Sequence, residues 1–286
     1  MIIYRNNPGK KPILVIDLMG VLAILNRDKL DFLYGGYHVK YFEIIDSLFK
    51  RLSDNAELVF FEDGPVVDQK YDTWLRRQAE RYGKSIKIID KIKEGVPIAT
   101  IANIPKLDLP SIYSGLEIIE TLAKKYGSVI VTVTKECDAE LAQFASRNPS
   151  VIAVLAEDSD FLIFPGKWKY FSIDQIGLTT LTTMEFSRTA LRNYLDLRDG
   201  VELKLFATIA GNDVIPIDMV RFRHHKDFGG AKADEKFPAI AEFILDLDMS
   251  DFELMIFHLT KYILHDNSQE NMDRIKNSIC QYHIVS

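Results

Sequence analysis

Four short apolar runs punctuate the first half of the chain: Ile13 to Ile16, Leu58 to Phe61, Val129 to Val133 and Val151 to Leu155. They are rich in β-branched residues, lack a polar alternation and are bounded by turn or helix signals, the pattern of strands buried on both faces. Between them the period lengthens. Over 40–52, Phe42, Ile45, Leu48, Phe49 and Leu52 recur at helical spacing and predict an amphipathic helix. Helices are also predicted over 67–82, 114–125 and 139–146, and strands that alternate with helices predict a mostly parallel sheet covered on both faces. After Phe171 the pattern turns mainly helical, with segments expected over 183–194, 201–209, 237–245 and 251–265 and an exposed loop over 226–236. In the last helix Phe252, Leu254, Ile256, Phe257, Leu259, Ile263 and Leu264 are expected to pack into a core. A protein partner for this C-terminal helical region is a second expectation.

Composition narrows the picture. A chain of 286 residues with 47% hydrophobic content can bury a full core, and it contains no internal repeat or low-complexity block. No apolar run reaches the roughly 18 residues of a membrane span, and the opening Met-Ile-Ile-Tyr-Arg-Asn-Asn-Pro has neither a signal nor a transit pattern. Only Cys137 and Cys280 occur, without metal-ligand spacing, so both are expected as small buried hydrophobes and no structural zinc is expected. An intracellular, reducing compartment, nucleus or cytoplasm, follows. The formal net charge of −6 argues against a dedicated duplex binder with a basic surface.

The acids carry the chemistry. In a parallel sheet, ligands gather at the carboxyl ends of the strands. The first run ends in Asp17, the second in Glu62-Asp63-Gly-Pro, the fourth in Glu157-Asp158-Ser-Asp160, and the third is followed by Glu136-Cys-Asp138-Ala-Glu140. With 41 Asp and Glu among 286 residues, one such ending is uninformative, whereas four are not. If the chain is still extended there, Asp158 and Asp160 point to one side. Asp138 and Glu140 share a face only if Asp138 is the N-cap of the following helix. Phe206-Ala-Thr-Ile-Ala-Gly-Asn-Asp213 adds a further acid after an apolar helix. Converging carboxylates repel unless cations neutralise them, and oxygen-only ligands favour Mg²⁺ or Mn²⁺ over zinc. Such a set suits two-metal phosphodiester hydrolysis, which needs no side-chain nucleophile.

Val15-Ile-Asp17, Phe61-Glu-Asp63-Gly, Glu136-Cys-Asp138-Ala-Glu140-Leu-Ala, Glu157-Asp158-Ser-Asp160-Phe-Leu-Ile-Phe and Leu205-Phe-Ala-Thr-Ile-Ala-Gly-Asn-Asp213 together resemble the flap-endonuclease/XPG superfamily of PIN-like nucleases. Tyr34-Gly-Gly-Tyr-His-Val-Lys-Tyr41 adds a likeness to its asteroid-type members, and the whole spans about residues 13 to 215. The resemblance implies an α/β, PIN-like (flap-endonuclease-like) fold, with a mostly parallel twisted sheet flanked by helices. It implies a nuclease domain over 1–215 and a helical extension over 216–286 packed on it. It further implies that Asp17, Asp63, Asp138, Glu140, Asp158, Asp160 and Asp213 bind two Mg²⁺ or Mn²⁺ ions and are the catalytic acids. Lys70 and Arg77, on the helix after the second acid, then contact the scissile phosphate of a DNA or RNA substrate. By spacing alone, Lys70, Trp74, Arg77 and Arg81 share one helix face.

The chain departs from the family's pattern in two places. It opens Met-Ile-Ile-Tyr rather than Met-Gly, and Val214-Ile-Pro-Ile-Asp-Met-Val-Arg-Phe-Arg-His-His225 stands where a glycine-rich duplex grip follows the last acid. Arg221, Arg223, His224, His225 and Lys226 are a candidate substitute patch. The first expectation is therefore a structure-selective, metal-dependent nuclease acting on DNA or RNA. The alternative is a catalytically weak or inactive PIN-like module that binds nucleic acid or serves as a protein scaffold. A phosphatase using Asp17 as nucleophile is disfavoured, because Asp17-Leu-Met-Gly-Val lacks the second Asp two residues on.

Overall fold

The computed structural model describes residues 11–27, 38–66, 71–101, 103–104, 112–133, 136–230 and 232–284. It divides into two compact units, one from Met1–Asp158 and Trp168–Glu185, the other from Ser159–Lys167 and Phe186–Ser286.

The first unit is an α/β layer structure. β1 (Ile13–Asp17) runs into a 3₁₀ turn and α1 (Leu22–Arg27). After it come α2 (His38–Asn55), β2 (Glu57–Glu62), α3 (Tyr71–Lys93), α4 (Ile98–Ile101), α5 (Ile112–Tyr126), β3 (Ser128–Val131), α6 (Cys137–Arg147), β4 (Val151–Ala156) and β5 (Lys169–Ser172). With the two-residue β6 (Glu185–Phe186), the strands form one sheet in the order β3-β2-β1-β4-β5-β6. The pairs β1–β2, β1–β4, β2–β3 and β4–β5 are all parallel. β1 is central, and the strand order reverses across it, so the crossovers on its two sides lead away from each other.

Strand alternation sorts the residues between the layers. Leu14 and Ile16 of β1 join Leu58 and Phe60 of β2 and Leu155 of β4 in a core with Tyr41, Ile45, Leu48 and Phe49 of α2 and Ile119 and Leu122 of α5. Val15 is in register with Val59 and Val154, and Asp17 with Phe61, so these residues share the opposite face. That face is covered by α6, whose Leu141, Ala142 and Ala145 are buried and whose Phe144 ring lies 5.5 Å from that of Phe61.

The second unit is helical: α7 (Arg188–Tyr194), α8 (Gly200–Ala210), α9 (Ile217–Asp227), α10 (Ala233–Leu245), α11 (Phe252–Leu264) and α12 (Gln269–Cys280). α8 buries Glu202, Leu203 and the run Leu205 to Ile209, as expected of a helix apolar almost all round. α9, α10 and α12 pack against it, and α11 packs on α9 and α12; the Phe206 and Phe237 rings, from α8 and α10, meet edge to face at 5.3 Å. In α11, Ile256, Leu259 and Ile263 are buried, while Phe252, Leu254 and Phe257 are exposed.

The four expected strands and the helices between them are present. The expected helix over 183–194 starts only at Arg188, because Ser187 Oγ caps it by accepting from Ala190 N at 3.2 Å and the preceding residues form β6. The loop expected over 226–236 is shorter: α9 continues to Asp227 and α10 begins at Ala233, with Lys236 buried. α9 and α12 were not expected as helices; the first buries Val220 and His224, the second Ile275, Ser278 and Ile279. β5 was also missed; at 4 residues it is too short for periodicity to reveal.

Phe60 is fully buried, with its ring 4.8 Å from that of Phe49. Phe60→Ala is expected to lower unfolding stability by about 3–5 kcal/mol, read from a shift in the urea midpoint at unchanged slope.

Candidate metal centre

Asp17 closes β1 on the α6 face. Its two carboxylate oxygens accept separate backbone hydrogen bonds, Oδ1 from Met19 N at 3.1 Å and Oδ2 from Gly20 N at 3.0 Å. The turn needs glycine there: a Cβ on Gly20 would stand 2.9 Å from Asp17 Oδ2 and 3.2 Å from Glu157 N. Each oxygen keeps a further lone pair for a cation.

Asp63 follows β2 and is exposed. It is fastened by its neighbours, since Thr132 N donates to Glu62 O at 3.0 Å and Gly64 N to Thr132 Oγ1 at 3.3 Å. Gly64 lies so close to the strand beside it that a Cβ would sit 1.5 Å from Thr132 O. Alternation separates the two acids of this motif. Glu62 lies by Glu120 of α5, where burial and that like charge raise its pKa, whereas Asp63 accepts a hydrogen bond from the Cys137 thiol at the start of α6.

Charge reveals the gathering of the acids. Burial, then the charge of Asp63 and more weakly that of Asp158, push the Asp17 pKa from 3.8 up to about 7 against the pull of its two N–H donors. Burial, then Asp63, Asp17 and Asp138, hold the Cys137 thiol well above its usual range. Burial, Glu157, Asp158, Asp17 and Asp138 do the same to the Tyr170 hydroxyl of β5. Tyr170 is in register with Val154 and therefore faces α6. Thus Asp17, Asp63, Asp138 and Asp158 share one electrostatic environment at the carboxyl edge of the sheet. Sequence reasoning missed Cys137 and Tyr170 as its walls. Cys137 was expected as an inert buried group and is buried, but it hydrogen bonds an acid; Cys280, also expected to be buried, is exposed.

Two conditions that the sequence left open are not met. Asp138 is not an N-cap: Glu136 is, and α6 begins at Cys137. Asp138 and Glu140 therefore sit two apart within one helical turn and project to nearly opposite sides. Glu140 lines an open depression of about 610 Å³ with Phe61, Ile130, Phe144 and Arg147. β4 ends at Ala156 and Asp160 lies in a 3₁₀ turn over Ser159–Leu162, so the chain is not extended between Asp158 and Asp160. Glu157, next to Asp158, ties β4 to β5 by accepting from Ser172 Oγ at 2.9 Å and from Asp174 N.

Asp160 and Asp213 belong to the second unit, where a separate network holds their loops. Tyr282, fully buried, donates from its hydroxyl to Asp160 Oδ1 at 3.0 Å and accepts from Asn212 Nδ2 at 3.3 Å. Asn212 Nδ2 also donates to Ser278 Oγ at 2.7 Å, and its Oδ1 accepts from Val214 N and Ile215 N, fixing the turn that carries Asp213. Neither Tyr282 nor Ser278 carried a sequence signal.

Among the basic residues, Lys70 lies outside the described residues, and Arg77 is exposed on α3. Trp74 is exposed and stacks on Tyr71 at 5.9 Å. Of the candidate patch on α9, His225 and Lys226 are exposed, and the other three residues are engaged. Arg221 pairs with Asp218, and Arg223 pairs with Asp227 at 2.8 Å and stacks on Tyr262 at 4.1 Å. His224 is buried with Nε2 2.7 Å from Ile209 O.

Asp17, Asp63, Asp138 and Asp158 offer only oxygen, the donor type that hard divalent cations prefer. Among the described residues no three His, Cys, Asp or Glu side chains stand at metal-binding distance of one another. None of the described helices is long and apolar enough to cross a membrane.

An α/β sheet with acids at its switch point and a helical second unit defines the class of architecture. No family model matches the chain. The chain is 30% identical over 222 residues to the constitutive coactivator of peroxisome proliferator-activated receptor gamma of Bos taurus, covering 77% of this chain and 30% of that protein. It is 29% identical over 258 residues to the protein of the same name from Mus musculus, covering 90% and 32%. The chain thus spans about a third of the length of these relatives. Among solved structures it resembles the catalytic core of Rad2 in complex with DNA substrate at TM-score 0.49 and 17% identity, over 97% of this chain and 76% of that one. It also resembles human GEN1 in complex with Holliday junction DNA at 0.47 and 14%, over 96% and 58%, and T5 D15 protein co-crystallised with metal ions at 0.41 and 14%, over 94% and 98%.

Two outcomes follow from the site. Asp17 gives up its proton near 3.8 when unfolded and near 7 when folded. Between those values the unfolded chain binds fewer protons, so this group lowers stability progressively as pH rises through the window and by its full amount above it. In metal-free protein, the melting temperature of Asp17→Asn relative to wild type is therefore expected to climb from pH 4 to pH 7 and then level off. Tyr282→Phe, which leaves Asp160 without this donor, is expected to cost about 1–3 kcal/mol in chemical denaturation.

Proposed function

We propose that the chain is a divalent-metal-dependent, structure-selective nuclease that hydrolyses phosphodiester bonds in DNA or RNA, with Asp17, Asp63, Asp138 and Asp158 as its core acids. The observation that carries this reading is the shared charge environment of Asp17, Asp63 and Asp158, which follow three adjacent parallel strands. A carboxylate whose proton affinity is raised by burial and by neighbouring acids, as that of Asp17 is, is held in place at a cost in folding stability, and a bound cation is the economical reason for it. Mg²⁺ or Mn²⁺ held there would supply an acidified water and countercharge for the leaving oxygen.

The chain's own residues prepare that chemistry. The N–H groups of Met19 and Gly20 aim the Asp17 carboxylate, and the Cys137 thiol orients Asp63. Lys70 and Arg77 are proposed to steer the phosphate. On sequence grounds the same reading assigns functional weight to Glu140, Asp160 and Asp213.

A second reading is a non-catalytic module that serves as a scaffold. It is supported by the direction of Glu140, which leaves the other acids, and by relatives that are named as coactivators.

The two are separated by incubating the protein and its Asp17→Asn/Asp158→Asn variant with labelled single strands, flaps and overhangs of DNA and RNA in Mg²⁺ or Mn²⁺. The nuclease reading expects cleavage by wild type that falls by about a hundredfold or more in the variant, the scale of losing a principal electrostatic contributor. No cleavage of any substrate, or equal cleavage by both proteins, would leave the scaffold reading standing.

A further inference from the structure

The second unit holds a cluster of cations that the acids described above do not touch. Arg188 and Arg192 stand one turn apart on α7, and Gly200 and Lys204 one turn apart on α8. Arg188 reaches across to α8: a Cβ added to Gly200 would meet its Nη2 at 2.9 Å. The guanidinium therefore lies over the face of α8 that carries Lys204 one turn further on. All three cations are half-buried, and among the described residues none makes an ion pair or a side-chain hydrogen bond. Arg192 Nε is fully buried without a partner, as is Nε2 of Gln281, the residue after Cys280.

The acids close by in sequence are committed elsewhere. Asp199 caps α8 by accepting from Val201 N and Glu202 N, at 2.8 and 3.0 Å. Glu202 is taken by Arg198. Burial and then Arg192 lower the pKa of Arg188; burial and then Arg188 lower that of Lys204, where Cys280 has a weaker opposite effect.

Half-buried cations with no acid between them, and an inner donor with nothing to bond, are an unfavourable arrangement unless an anion completes it. We propose that Arg188, Arg192 and Lys204 form a binding site for a phosphate group. Two guanidinium forks and an ammonium match a tetrahedral oxyanion with several acceptor oxygens, and three positive charges exceed what a single carboxylate neutralises. The group has two sources, a small polyphosphate or the backbone of a nucleic acid. The site does not depend on whether the chain cleaves phosphodiesters, since none of the three cations contributes to the acids of the first unit.

The test uses the full chain and inorganic pyrophosphate as probe, at ionic strength held constant with sodium chloride. Pyrophosphate is expected to raise the melting temperature of wild type, and Arg188→Gln and Lys204→Gln each to weaken its binding in calorimetry by about tenfold or more. Lys204→Gln should melt no lower than wild type without the probe, because it removes a like charge. Arg192→Lys, which keeps the charge and loses the buried Nε, should bind with intermediate affinity and serves if Arg192→Gln fails to fold. A single-stranded oligonucleotide that displaces pyrophosphate identifies the backbone as the source, and one that does not identifies a small polyphosphate; either outcome supports the site. A rise no greater than sodium chloride gives, or an equal response in wild type and both Gln variants, overturns it.

Discussion

β1 is hydrogen bonded along both edges, to β2 and to β4, and the strand order turns around at it. Parallel strands require crossovers, and crossovers that depart in opposite directions leave a crevice beyond the carboxyl end of the central strand. Everything at that edge inherits its position from this constraint. The residue that ends β1 has no freedom to point elsewhere, because Val15 and Ile16, sealed between two layers, fix the alternation that puts Asp17 on the α6 face. The same register places Phe61, and with it the direction of Asp63, on that side.

A carboxylate delivered to such a place is caught between two pressures. Burial and two neighbouring acids favour its neutral form, while two backbone donors favour its charge. The first pressure prevails, and the group titrates near neutrality, at about 7. A site poised in this way responds strongly to any positive charge that enters. In the first unit the walls are Cys137 and Tyr170, both held neutral by burial first and then by the negative charges around them.

The strands and acid-bearing turns were legible in the sequence because their signal is local: β-branched runs that stop at an acid. The choice between Glu62 and Asp63 also follows from parity once the strand is placed. What could not be read was whatever depends on a precise start. One residue in the position of the α6 N-cap decides whether Asp138 and Glu140 cooperate, and it sends Glu140 into a depression beside Phe144. Extension from Asp158 to Asp160 failed for a similar reason, as the chain coils within three residues of leaving β4. α9 escaped notice because its apolar residues follow no helical period, and α12 because its narrow apolar stripe lies in a largely polar segment. Arg223 and His224 looked like a basic surface because a sequence cannot say that one stacks on Tyr262 and the other bonds a carbonyl.

Tyr282 binds a residue 122 positions earlier in the chain. During synthesis the ribosome delivers Asp160 long before this phenol, at a pace of roughly 5–20 residues per second. For several seconds the acidic loop is outside the tunnel without the group that aims it. The second unit's acids therefore acquire their native arrangement only when translation has passed α12, and a prematurely stopped product carries the acidic motif without its geometry. The timing of assembly is thus written into one hydroxyl.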